Sequence, residues 1–217
     1  MSLTRQAFER IRDAIVSGDV EFGAHLSETQ LATTLGMSKA PVRAAFMELK
    51  DKGLVTIVPQ SGTYVISPTS EDVRTMSHFR ALLEDDALTE ALKLHPAALL
   101  AKLDEATGGM KRAMSSKDWG IYRKADSAFH LAFLEESGNP YLLRAYHLSA
   151  TVREALRVRQ QSGGNFRKQS FGEHIDIARM LRMGDVEGAR KLLRFHILII
   201  NDSLEALPRA VSDGLRK

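Results

Sequence analysis

The chain has 217 residues, 44% apolar and 26% charged, with a formal net charge of +3. That is enough chain to bury one large core or two small ones, and too little net charge to signal nucleic acid by composition alone. There is no cysteine, which excludes disulfides and thiolate metal sites and points to a reducing compartment. No apolar run approaches the roughly 18 residues of a membrane span, and the charged stretch from Thr4 to Ser17 lacks the apolar segment of a signal peptide. A cytoplasmic, non-membrane protein is expected.

Thr4 to Ser17 reads as a helix with Ala7, Ile11, Ala14 and Ile15 inward and Gly18 as its stop. Ser27-Glu28-Thr29-Gln30 is a capping box opening a second helix, with Leu31 and Leu35 on its buried face. Gly36-Met37-Ser38 is a tight turn into a third, running to about Asp51. Ser38 is its N-cap, and Pro41 is tolerated because first-turn amides have no intrahelical partner. Val42, Ala45, Phe46 and Leu49 fall on one face, while Lys39, Arg43, Met47 and Lys50 fall on the other. Two short helices, a glycine turn and a basic outer face make a helix-turn-helix, which implies duplex DNA as partner. The signal is local. Residues 1–67 carry seven basic side chains (Arg5, Arg10, Arg12, Lys39, Arg43, Lys50, Lys52) against seven acidic ones (Glu9, Asp13, Asp19, Glu21, Glu28, Glu48, Asp51).

Leu54 to Val58, Pro59-Gln60-Ser61-Gly62 and Thr63 to Ile66 read as strand, turn, strand, a wing directly after the helix-turn-helix. Gly62 at its tip serves either turn geometry or close approach to a phosphate or groove wall. Ser67-Pro68-Thr69-Ser70 marks a boundary, with Thr69 and Asp72 as a cap. Two domains are therefore expected: a winged helix-turn-helix over 1–67 and an all-α bundle over 68–217. The bundle's helices are predicted near 70–94, 97–115, 119–136, 140–160, 166–183 and 185–206.

Four polar residues sit where the apolar seam of that bundle should be. Asp126 and His130 are one turn apart beside Phe129 and Phe133. His174 precedes Ala178 and Leu181 on one stripe, and His196 continues the stripe Ala189, Leu192, Leu193 and precedes Ile200. Buried imidazoles and carboxylates need partners, because burying them unpaired costs several kcal/mol. Two solutions are open. Each is a separate core residue bonded to its own acceptor, or the four hold one divalent metal. Arg80 and Glu84, one turn apart, form either an ordinary i, i+4 ion pair or a site in which the arginine fork meets an anion. His25, His78, His95 and His147 receive no role.

The run Leu26-Ser27-Glu28, Leu31-Ala32, Leu35-Gly36-Met37-Ser38-Lys39-Ala40-Pro41-Val42-Arg43, then Gly53-Leu54-Val55 and Gly62, resembles the winged helix-turn-helix of GntR-type bacterial transcription regulators. The rest resembles the helical effector-binding domain, FCD, of the FadR-like branch. The residues are Arg80, Glu84, Asp126, Phe129, His130, Gly138-Asn139-Pro140, Glu173-His174, Gly184-Asp185 and His196. The resemblance implies a divalent metal, zinc or nickel, on Asp126, His130, His174 and His196. It further implies a small carboxylate effector on the metal and Arg80, and DNA contacts from Ser38, Lys39, Ala40, Pro41, Arg43 and the Gly62 wing. Lys39, Ala40 and Ala44 depart from the family's usual arginine, hydroxyl residue and glutamate. A lysine reads guanine less sharply than an arginine fork, so the operator is expected to differ from the commonest one.

The expected protein is a homodimeric, ligand-responsive regulator binding a near-palindromic operator. Two rivals remain on the sequence alone. One is a metal-dependent hydrolase of small acid derivatives, using the His/Asp site with Glu173 as base. The other is a winged module that binds protein, in keeping with its zero net charge.

Overall fold

Ser2 opens the first helix, its hydroxyl accepting the Arg5 amide at 3.2 Å, and Gly18 closes it in the left-handed conformation at φ +90°. This helix, α1 (Leu3–Ser17), buries Ala7, Phe8, Ile11 and Ile15. Phe8 takes the inward place expected of Ala14, which is half-buried. The computed structural model describes residues 1–160 and 164–199, the side chains of 159, 160 and 164–166 excepted.

After α1 come β1 (His25–Leu26), α2 (Glu28–Leu35), α3 (Lys39–Asp51), β2 (Val55–Val58) and β3 (Gly62–Val65). The three strands form an antiparallel sheet in the order β1-β3-β2, with Leu26 opposite Thr63 and Ile57 opposite Thr63 from the other side. The hairpin is as expected; β1, two residues long, is not foreshadowed by any alternation. Ser27 caps α2 through the Gln30 amide, and Gly36 closes it at φ +66°. Ala32 is the buried residue of α2, with Leu31 and Leu35 packed partly against the same core. Val42, Ala45, Phe46 and Leu49 of α3 are buried, each large side chain contributing about 1.5–3 kcal/mol of transfer free energy.

The remaining elements are helical: α4 (Ser70–Leu94), α5 (Pro96–Ser116), α6 (Trp119–Glu136), α7 (Pro140–Leu148), α8 (Ala150–Gln160), α9 (Gly164–Arg182) and α10 (Val186–Leu198). α4 opens on a reciprocal cap. The Thr69 amide and hydroxyl both donate to Asp72 Oδ2, and the Asp72 amide donates back to Thr69 Oγ1. The single helix expected over 140–160 is two helices, broken at Ser149. Their cores explain the break. Tyr146 of α7 is buried among Leu99, Phe129 and Phe133 and their neighbours, whereas Val152 and Ala155 of α8 join Phe8, Ile11 and Phe46. The expected extension of the last helix to 206, with Ile200, lies outside the described residues.

The chain accordingly divides into two compact units. One gathers Met1–Val73 with α8; the other gathers Arg74–Tyr146 with α9 and α10. The core of the second is built from Leu88, Leu99, Leu103, Met110, Tyr122, Phe129, Phe133, Leu134, Ile177, Leu193 and Ile197. No helix among the described residues is long and apolar enough to cross a membrane.

Candidate functional site

The second unit buries a polar centre inside that hydrocarbon. Asp126 and His130 project from the inward face of α6, His174 from α9 and His196 from α10. His130 and His174 are 1% and 0% exposed, and Asp126 is also buried. The ring centroids of His174 and His196 lie 4.4 Å apart, and each of the other two imidazole pairs 5.2 Å apart. One nitrogen from each ring can be chosen so that all three lie within 4.8 Å of one another. Asp126 Oδ1 is 3.5 Å from His174 Nε2. The four residues singled out in the sequence thus occupy one place.

Each imidazole is oriented from behind by an oxygen. His130 Nδ1 donates to Glu84 Oε2 at 2.7 Å, His174 Nδ1 to the Ser170 carbonyl at 2.6 Å and His196 Nδ1 to Glu173 Oε2 at 2.6 Å. A carbonyl or carboxylate oxygen only accepts, so the proton sits on Nδ1 in all three rings and the Nε2 lone pair is left for the centre. Burial, then the neighbouring Arg80 charge, holds His130 well below its ordinary pKa, which keeps it neutral. Its Nε2 lies 3.2 Å from His174 Nε2. Two lone pairs that close repel unless a cation or proton lies between them. Three imidazoles with oxygen-anchored Nδ1 atoms and a nearby carboxylate are a donor set that fits a divalent metal of the zinc or nickel type.

Glu84 is fully buried and uses both oxygens: Oε2 takes His130, and Oε1 takes Arg80 Nε at 2.5 Å. Burial works against the Arg80 charge, but Glu84 and the other acidic groups around it more than offset this and keep it cationic. Arg80 Nη2 is buried and has no hydrogen-bond partner among the described residues. An orphaned donor on a buried cation is costly, and it marks where an anion would fit. The i, i+4 spacing of Arg80 and Glu84 was legible in the sequence; the hydrogen bond from His130 to Glu84, 46 residues away, was not.

Glu173 is oriented on both sides, by His196 and by Gln169 Nε2 at 2.9 Å. Burial raises its carboxyl pKa, yet those bonds prevail and hold it below the ordinary range. A carboxylate engaged in this way anchors the His196 ring.

In the first unit Lys39, Ala40, Arg43, Met47 and Lys50 are exposed along α3, and Pro41 sits half-buried in its first turn. Ser38 occupies the N-cap position, but its hydroxyl makes no cap hydrogen bond. Arg43 pairs with Glu28 of α2 through two bonds, Nε to Oε1 at 3.0 Å and Nη2 to Oε2 at 2.8 Å. Gly62 has φ +132°, and a Cβ there would stand 2.6 Å from His25 Nε2. The His25 ring thus stands close to this position, and it also packs on Tyr64 with centroids 5.1 Å apart.

A winged helix-turn-helix joined to a helical unit with a buried histidine centre defines a class of bacterial transcription regulators. Residues 3–65 match the family "Bacterial regulatory proteins, gntR family" and residues 75–198 match the FCD domain. The chain belongs to the GntR family, in its FCD-containing branch, and is a DNA-binding transcription regulator rather than an enzyme. It is 26% identical over 215 residues to the HTH-type transcriptional repressor RspR of Escherichia coli, covering 97% of this chain and 92% of that one. To a probable D-xylose utilization operon transcriptional repressor of Paenarthrobacter nicotinovorans it is 29% identical, covering 87% and 84%. The solved structure of a putative GntR transcriptional regulator from Rhodococcus sp. RHA1 shares the fold, with TM-score 0.80 and 24% identity over 96% of this chain and all of that one.

Proposed function

We propose that this regulator binds a near-palindromic operator as a homodimer in the bacterial cytoplasm and responds to a small carboxylic acid bound in its helical unit. The observation that carries the effector reading is the orphaned, buried Nη2 of Arg80, held by Glu84 beside the clustered imidazoles of His130, His174 and His196. His130, His174 and His196, with Asp126, would hold a divalent metal, zinc or nickel. The metal would supply a Lewis-acidic point for a carboxylate oxygen. Arg80, fixed by Glu84, would take the carboxylate's remaining charge through its planar fork. Glu84, the Ser170 carbonyl and Glu173 keep the rings in the tautomer that such binding needs.

On the DNA side, the α3 face carrying Lys39, Ala40, Pro41 and Arg43, entered through Ser38, would lie in the major groove, with the Gly62 wing alongside. A ligand can shift operator affinity only by its differential affinity for two states, commonly about 1–3 kcal/mol. The test is operator affinity for the protein as purified, with and without short mono- and dicarboxylic acids. At least one acid is expected to change affinity by about fivefold or more, and this response is expected to vanish in Arg80→Ala. Equal affinity with every acid tried would overturn the effector reading.

A further inference from the structure

We propose that Glu28 sets DNA sequence selectivity by positioning Arg43: from the first turn of α2 it grips one edge of the guanidinium and leaves the other edge aimed outward to read a guanine. The inference rests on α3 being the DNA-reading helix and concerns how that helix reads.

A guanidinium has two edges that can present parallel donors. Glu28 occupies the edge formed by Nε and Nη2 with its two carboxylate oxygens. The end edge, formed by Nη1 and the outer hydrogen of Nη2, has no other partner among the described residues. It matches the O6 and N7 acceptors of guanine in the major groove. Arg43 is 69% exposed and Glu28 30%, so the pair contributes little to folding. Its effect lies elsewhere. An arginine free to choose among many rotamers must lose that freedom on meeting a base, whereas here the carboxylate has already removed it.

Charge points the same way. Glu28 stays ionised, because its bonds from Arg43 outweigh burial and, with the Arg43 and Lys39 charges, hold its pKa below the ordinary value. A carboxylate on the face that meets phosphates weakens binding to every sequence alike. A contact that lowers general affinity while fixing the plane of a base-reading fork trades affinity for discrimination. The equal numbers of acidic and basic side chains in residues 1–67 fit that design.

The test is selection from a random duplex library with the full-length wild type, Glu28→Gln, Glu28→Ala and Arg43→Ala. Wild type is expected to demand guanine at one position of each half-site. Arg43→Ala and Glu28→Ala are expected to lose that demand at the same position, by about tenfold or more in relative affinity, with other positions unchanged. Glu28→Gln, which keeps the shape and one acceptor, falls between. On an unrelated duplex Glu28→Ala binds as well as wild type or better, and Arg43→Ala binds worse. The inference is overturned if Glu28→Ala keeps every base preference, or if it tightens selected and unrelated duplexes equally, which would make Glu28 a mere competitor for Arg43. Should wild type select no sequence at all, or Arg43→Ala keep every preference, the reading of α3 fails first and takes this one with it.

Discussion

His130 Nε2 faces His174 Nε2 across 3.2 Å, and in both rings the proton is committed to Nδ1 on the far side. Asp126 Oδ1 stands 3.5 Å from His174 Nε2 at the same place, so the centre brings imidazole and carboxylate donors together. Purified protein is expected to carry close to one divalent metal per chain by elemental analysis, and His174→Ala well below one. An unchanged stoichiometry in the variant would return His174 to ordinary core packing.

Glu84 makes a second prediction. Removing its charge in Glu84→Gln weakens the acceptor behind His130 and leaves the buried Arg80 uncompensated. Metal affinity, measured by competition with a chromophoric chelator, is expected to fall about 10–100-fold. Stability is expected to fall as well, by about 3 kcal/mol or more, because an unpaired buried charge is left behind. Wild-type metal affinity in the variant would mean that His130 is held by packing instead.

Arg43 carries an exposed charge on α3. If its charge also neutralises a phosphate, Arg43→Ala lowers the slope of log affinity against log salt by about one. A slope equal to that of wild type, over a salt series on one duplex, would place Arg43 away from the phosphates and leave it base contacts alone.

Gly62 is constrained twice, by φ +132° and by the His25 ring. Gly62→Ala is expected to lower thermal stability by more than about 1 kcal/mol, since alanine must adopt a positive φ. Adding His25→Ala recovers part of the loss by removing the steric conflict and leaves the backbone part. Full recovery in the double variant would show that the ring alone demands glycine.

Thr69 and Asp72 cap α4, and the Thr69 hydroxyl and amide hold the Asp72 carboxyl below its ordinary pKa. A depressed folded-state pKa gives stability that is complete above the unfolded-state value near 4 and is lost as pH falls through the lower folded-state value. Thr69→Ala is therefore expected to cost about 1 kcal/mol at neutral pH. The gap from wild type should narrow in acid, as seen in denaturation midpoints across a pH series. A gap independent of pH would assign the loss to the helix cap without Asp72's charge.

Periodicity made much of this readable. α4 and α6 fall at 70–94 and 119–136 as expected, because caps, Pro96 and Gly138 punctuate them and tertiary packing agrees with local preference. The histidines were visible because a polar residue interrupting an apolar stripe is conspicuous. Their anchors were not. Ser170 acts through its carbonyl, which every residue has, and Glu84 already had a nearer partner in Arg80. The Glu28–Arg43 pair spans 15 residues and two helices, and each member alone looks like an ordinary solvated charge. Ser149 carries no breaker signature; the split between α7 and α8 comes from the different cores that their side chains join.

That last division has a bearing on synthesis. Val152 and Ala155 complete a core whose other members are all made by Val65. As the chain leaves the ribosome, the wing and its three helices wait through the production of α4 to α7 before their final apolar partner exists. A fragment ending at Ser67 leaves Phe8, Ile11 and Phe46 without that cover, so the amino-terminal portion is a discontinuous assembly whose maturation is timed by the middle of the polypeptide.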